Sequence, residues 1–235
     1  MMIKTTKFLP AVEIETASNP GFAIIWLHGL GADGNDFVPI VNELELPSEK
    51  PIRFVFPHAP ERPVSINNGY IMRAWYDIFS SDFNDHQDES GMRSSQVEIT
   101  HLIEREIQRG ISEKNIFLAG FSQGGALALH VGLRHPRRLG GIVALSCYLP
   151  LPEFFATEAN AINAAIPIFM AHGSFDMVIP IANAKTSREK LFTADYQIEW
   201  HEYPMAHSVC GQEIADISNW LHRVMNDSRQ DIDRN

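Results

Sequence analysis

Short apolar runs and longer amphipathic stretches alternate along this chain from about residue 20 onward. Phe22 to Leu27 (FAIIWL) is continuously apolar, which predicts a strand buried on both faces. Further runs lie at Pro51 to Phe56 (PIRFVF), Ile116 to Ala119, Gly141 to Leu145 (GIVAL), Ile166 to Ala171 (IPIFMA) and Tyr196 to Trp200 (YQIEW). Helices are predicted over 35–45, with Pro39 near the start, and over 126–134 and 181–192. A helix over 94–110 follows from the spacing of Val97, Ile99, Leu102, Ile103 and Ile107, with Gly110 as a stop. A closing helix over 211–225 puts Ile214, Ile217, Trp220 and Leu221 on one face. Residues 8–15 predict an edge strand, because Pro10 removes a ladder donor. The alternation predicts an α/β fold: one domain over 1–235, with a mostly parallel sheet and helices on both faces. The polar, acidic tail from Asn226 is predicted to fray.

One region breaks the pattern. Residues 61–95 hold Asn67-Asn68-Gly69, an aromatic cluster (Tyr70, Trp75, Tyr76, Phe79, Phe83) and a polar stretch from Ser80 to Ser95. No regular period fits. Long irregular segments inside compact domains are usually functional or mobile, so this one predicts short β pieces and a lid-like loop at the sheet's edge, with 80–92 its most mobile part. A plain surface excursion is the alternative, but Trp75 and Tyr76 need something to cover.

Composition narrows the function. With 45% hydrophobic and 20% charged residues the chain supports a sizeable core. A net charge of −10 disfavours nucleic acid and anionic membrane surfaces as partners. No apolar run reaches the length of a membrane span, and the N-terminus carries no secretory pattern. The two cysteines, Cys147 and Cys210, are too few for a disulfide framework and predict free thiols in a reducing, cytoplasmic setting.

The candidate chemistry centres on Gly120-Phe121-Ser122-Gln123-Gly124, set between the 116–119 strand and the 126–134 helix. G-x-S-x-G in a strand–turn–helix context is a nucleophile elbow: the flanking glycines clear space for a strained serine. A phosphate cradle or simple packing would use similar residues. A serine needs a base, and the base needs an orienting acid. Asp176 follows the 166–171 strand and His207 follows the last strand, both after Ser122 and in the chain order this elbow requires. Asp176 can equally be a turn or capping residue. His201 competes with His207, but a base must swing over the serine on a loop, which favours His207; His172 is a weaker competitor. Backbone N–H groups of Gln123 and Leu30, the latter in His28-Gly29-Leu30-Gly31, are the expected oxyanion donors. There is no HExxH and no zinc-type spacing; His172-x-x-x-Asp176 on a loop carries little geometric force, so no metal is expected.

Together, HGLGADG, FPHAP, MRAWYDI, GFSQGG, SCYLP, HGSFDMVIP and His207 resemble the carboxylesterase/acyl-protein thioesterase family (phospholipase/carboxylesterase type) of α/β-hydrolases, over about residues 22–222. The resemblance implies Ser122, Asp176 and His207 as a triad, Leu30 and Gln123 as oxyanion donors, and cofactor-free hydrolysis of carboxyl esters or acyl thioesters of short to medium chains. It extends to lysophospholipids and S-acylated proteins as substrates. Trp75, Tyr148, Leu149, Met177 and Val178, beside Leu30, are the expected wall for the acyl chain, though each fits core packing as well. The acidic stretch DFNDHQDESG departs from the family, which leaves chain-length preference to residues 61–95. A different hydrolase of the same fold or a non-catalytic binding module are the rival readings. A homodimer through an exposed apolar patch near 61–95 is permitted by the sequence without being required by it.

Overall fold

A computed structural model describes residues 8–80 and 86–230, without the side chains of 227–230. Seven strands form one sheet, in the order β1 (Ala11–Glu15), β3 (Ile52–Pro57), β2 (Phe22–Leu27), β6 (Ile116–Phe121), β7 (Gly141–Leu145), β8 (Ile168–Gly173) and β9 (Ile198–Tyr203). Only β1 runs antiparallel, pairing Ala11 with Pro57 and Glu15 with Arg53. The other pairings are parallel; β2 sits between β3 and β6 with Leu27 opposite Gly120. β4 (Glu61–Val64) and β5 (Tyr70–Arg73) form a separate antiparallel hairpin.

The continuous apolar runs become central strands because both sheet faces are covered. Along β2 the side chains alternate. Ala23, Ile25 and Leu27 join the core under α2 (Glu89–Gln108) and α3 (Gln123–Arg134). Phe22, Ile24 and Trp26 join the core under α1 (Ile40–Glu43) and α6 (Gly211–Gln230). The short α4 (Phe155–Glu158) precedes β8, and α5 (Ile181–Thr193) connects β8 to β9.

Several boundaries depart from expectation, three of them at helices for the following local reasons. The helix expected over 35–45 is reduced to α1, because turns occupy 34–39 and Pro39 becomes its N-cap. The helix expected from Ser94 starts at Glu89, where the Asp88 carboxylate caps it by accepting from Gly91 N–H at 2.9 Å. The tail expected to fray from Asn226 continues α6 to Gln230; residues 231–235 lie outside the described residues. So do 81–85, which fall within the stretch expected to be most mobile. Asp88 also accepts from the backbone of Asp77 at 2.8 Å, so one carboxylate joins the end of the hairpin segment to the start of α2.

Candidate active site

The carboxyl ends of β2, β6, β8 and β9 converge. At the end of β6, Ser122 adopts φ +55° and ψ −120°, a region that side-chain-bearing residues rarely occupy. Its N–H donates to Leu145 O at 2.8 Å, and its own carbonyl starts α3 by accepting from Ala126 N–H. The turn tolerates nothing larger than glycine on either side. A Cβ on Gly120 would stand 2.4 Å from the backbone of Gly124, and one on Gly124 would stand 2.2 Å from Leu27 O.

Ser122 Oγ lies 2.9 Å from His207 Nε2, and His207 Nδ1 lies 2.7 Å from Asp176 Oδ2. An ionised carboxylate only accepts, so Nδ1 carries the proton and Nε2 faces the serine hydroxyl as an acceptor. Asp176 is buried and fixed on its other oxygen: Oδ1 accepts from the N–H groups of Val178 and Ile179, each at 2.9 Å. The capping role considered for Asp176 and the acid role therefore coexist on its two oxygens. His172 Nε2 donates to Ile179 O at 2.8 Å and lies 3.3 Å from Asp176 Oδ2. Burial pushes its pKa down, so it braces the acid loop as a neutral ring. His201 is remote from this arrangement, bonded to Glu199 and stacked on Phe169.

The loop after β2 approaches the same serine: a Cβ on Gly29 would lie 3.5 Å from Ser122 Cβ. His28 holds this loop. Its Nε2 accepts from Ala59 N–H at 3.1 Å, so its Nδ1 carries the proton and donates to Gly29 O at 2.7 Å. Burial lowers the His28 pKa to about 4, which keeps the ring neutral and both bonds intact near pH 7. No described residue accepts from Leu30 N–H, and Gln123 N–H is a free first-turn donor of α3. Two donors and a serine activated through a buried acid can carry out acyl transfer. Among the described residues, no group of three or more His, Cys, Asp or Glu is placed to hold a metal ion.

Residues 10–225 match the phospholipase/carboxylesterase family. The chain belongs to that family. An acyl-protein thioesterase 1 of Yarrowia lipolytica is 36% identical over 217 residues, covering 90% of this chain and 96% of the relative. One of Neurospora crassa is 37% identical over 222 residues, covering 91% and 89%. Among solved structures, Arabidopsis thaliana SOBER1 superposes with a TM-score of 0.82 at 30% identity, covering 87% of this chain and 99% of that one. Zea mays acyl-protein thioesterase 2 gives a TM-score of 0.82 at 25% identity, covering 92% and 99%. The α/β-hydrolase fold of the family is thus that of this chain.

An apolar cleft of about 340 Å3 leads to Ser122 and His207. Leu30, Tyr148 and Val178 line it, as does Gln123 at the serine end. Trp75, Leu149 and Met177 do not. Trp75 is fully buried beneath the Leu30 loop. Leu149 is buried against α5, with its N–H on Ser187 Oγ. Met177 is 89% exposed, one residue outside the two amides that hold Asp176. The wall is completed by Tyr76, Ile78, Phe121 and Ile179, which sequence reasoning passed over. No periodic signal set Tyr76 apart: β5 ends at Arg73, and Tyr76 is 2% exposed, nearly as buried as Trp75. The hydroxyls of Tyr76 and Tyr148 lie 3.1 Å apart. Both residues, with Ile78, also line a smaller void beside Phe79, Ser80 and His86, and so stand between the two spaces.

Proposed function

We propose that this chain is a serine hydrolase that cleaves acyl thioesters and carboxyl esters of medium-length chains through an acyl-enzyme on Ser122. The observation that carries this reading is the continuous hydrogen-bonded series Ser122 Oγ, His207 Nε2, His207 Nδ1, Asp176 Oδ2, with spacings of 2.9 and 2.7 Å. Ser122 Oγ attacks the acyl carbon while His207 Nε2 takes its proton. The oxygen anion forms against the N–H groups of Leu30 and Gln123. Collapse expels the thiol or alcohol, protonated by His207. A water molecule, deprotonated by the same nitrogen, then attacks the acyl-enzyme, and the acid leaves with Ser122 restored. Asp176 steadies the imidazolium in both halves.

The cleft's volume of about 340 Å3 and its apolar wall support a medium chain length. The named relatives favour an S-acylated protein as the bearer of the chain, with lysophospholipid as the second reading. A cytoplasmic setting is supported by Cys147 and Cys210 both being free thiols; subcellular fractionation tests it. Exposed Ile66, Tyr70, Ile71 and Phe79, in and after the β4–β5 hairpin, supply apolar surface for a homodimer, which sedimentation velocity would detect.

The central test is Ser122→Ala. Hydrolysis of a matched ester and thioester series should fall by several orders of magnitude with the fold retained, and a fluorophosphonate should label the parent enzyme at Ser122. Normal turnover by a folded Ser122→Ala variant would overturn the reading and favour a binding module.

A further inference from the structure

The two oxyanion donors belong to segments that are not bonded directly to each other. Leu30 sits on the loop after β2, and Gln123 opens α3. Beyond the β2–β6 pairing beneath them, what joins them is the segment Arg73 to Tyr76. Arg73 O accepts from Gly31 N–H at 2.9 Å, and the Trp75 indole N–H donates to His28 O at 2.9 Å. The Leu30 loop is therefore held on both sides by this segment. The same segment is bound on its other side by one side chain. Gln123 Oε1 accepts from Trp75 N–H at 2.8 Å, and Gln123 Nε2 donates to Tyr76 O at 2.7 Å. A backbone N–H can only donate and a carbonyl can only accept, so both contacts fix which end of the amide is oxygen. Gln123 is 2% exposed and Trp75 fully buried, so water does not compete for these bonds. A Ser95 hydroxyl on Trp75 O ties the segment to α2 as well.

We propose that the Gln123 carboxamide is a positioning residue that sets the spacing of the oxyanion hole. Its backbone supplies one donor. Its side chain, through residues 73–76, fixes the loop that supplies the other. This inference rests on Ser122 being the nucleophile. Oxyanion donors act through placement made before the reaction, and a misplacement of about 1 Å can cost about a hundredfold in rate. Removing the amide leaves the Gln123 N–H in place but strips Trp75 N–H and Tyr76 O of their partner, which releases the link to Leu30.

Gln123→Ala should therefore lower kcat by about ten- to a hundredfold, with KM for a medium-chain thioester within about twofold of the parent. Affinity for an alkylboronic acid, whose serine adduct places an oxygen anion in the hole, should fall with kcat. A folded Gln123→Ala enzyme with unchanged kcat and unchanged boronate affinity would overturn the proposal. Gln123→Glu gives a second route that survives a folding defect in the alanine variant. Its protonated carboxyl reproduces the amide, with the carbonyl on Trp75 N–H and the hydroxyl on Tyr76 O, whereas its ionised form repels Tyr76 O. The ratio of its kcat to that of the parent should rise as pH falls, and a flat ratio would also overturn the proposal. If the parent is not labelled at Ser122 by a fluorophosphonate, the nucleophile reading fails instead.

Discussion

Glu213 makes the stability of this protein depend on pH in an unusual direction. It stands in the first turn of α6, immediately after the loop that carries His207, and is fully buried. Neither carboxyl oxygen has a well-formed hydrogen bond among the described residues. Burial raises its pKa from 4.5 to about 8; the Cys210 backbone amide offsets part of that, and the nearby Asp216 charge adds to it. A group whose folded pKa is raised contributes stability that is complete below its unfolded pKa and is lost as pH climbs through the folded one. Here that window runs from pH 4.5 to about 8. At about 1.36 kcal/mol per unit, Glu213 costs about 1 kcal/mol at pH 5, about 3 kcal/mol at pH 7, and about 5 kcal/mol above pH 8. Glu213→Gln keeps the shape and removes the titration. Relative to the parent, the variant should gain about 2 kcal/mol between pH 5 and pH 7, which at this chain length is about 4–8 °C in Tm. Urea unfolding and thermal melts of both proteins at pH 5, 6, 7 and 8 would measure it. Parallel curves across that range would refute the reasoning, and so would a variant that gains less at pH 8 than at pH 5.

Two further outcomes follow from the site. Gly124→Ala drives a methyl group to 2.2 Å from Leu27 O and 2.6 Å from His28 O, both rigid backbone, so it should cost about 3 kcal/mol and abolish turnover; a variant with parental Tm and activity would contradict the packing described. Tyr76→Ala should open the cleft into the void beside Phe79. At about 0.8 kcal/mol per buried methylene, room for two more gives about a fifteenfold gain in kcat/KM for the longer chains; an unchanged profile across an acyl thioester series would count against Tyr76 as the stop.

What the chain disclosed in advance was local. The elbow was legible because its strand, its glycines and its helix are contiguous from Ile116 to Arg134. Continuous apolar runs marked the central strands, because strands covered on both faces need no polar side. Edges were less legible where pairing or capping decides them. β8 begins at Ile168, since Pro167 has no N–H to give, and it extends to Gly173 because His172 and Gly173 find partners in Glu202 and Tyr203. The start of α2 depends on one side chain, Asp88. The cleft was least legible. Trp75 carries the largest apolar surface of its segment, which by composition suits a substrate wall. Its indole N–H, however, is committed to His28 O, and its backbone to Gln123. Those partners are distant in sequence, and nothing in residues 61–95 alone names them. Met177 is apolar but lies on the outer side of a turn fixed by the Asp176 carboxylate.

Asp88 has a bearing on how much change this chain can absorb. Its two oxygens hold the backbone of Asp77 and the first turn of α2, closing the base of the stretch between residues 78 and 87. A loop whose ends are already joined can change length at about 0.6 kcal/mol per doubling, while the hairpin before it and the helix after it stay in place. The described residues of that stretch remain tied in: His86 stacks on Phe79, and Leu151 N–H donates to Gln87 Oε1 at 3.0 Å. Length can vary between those joined ends without moving the elbow at Ser122.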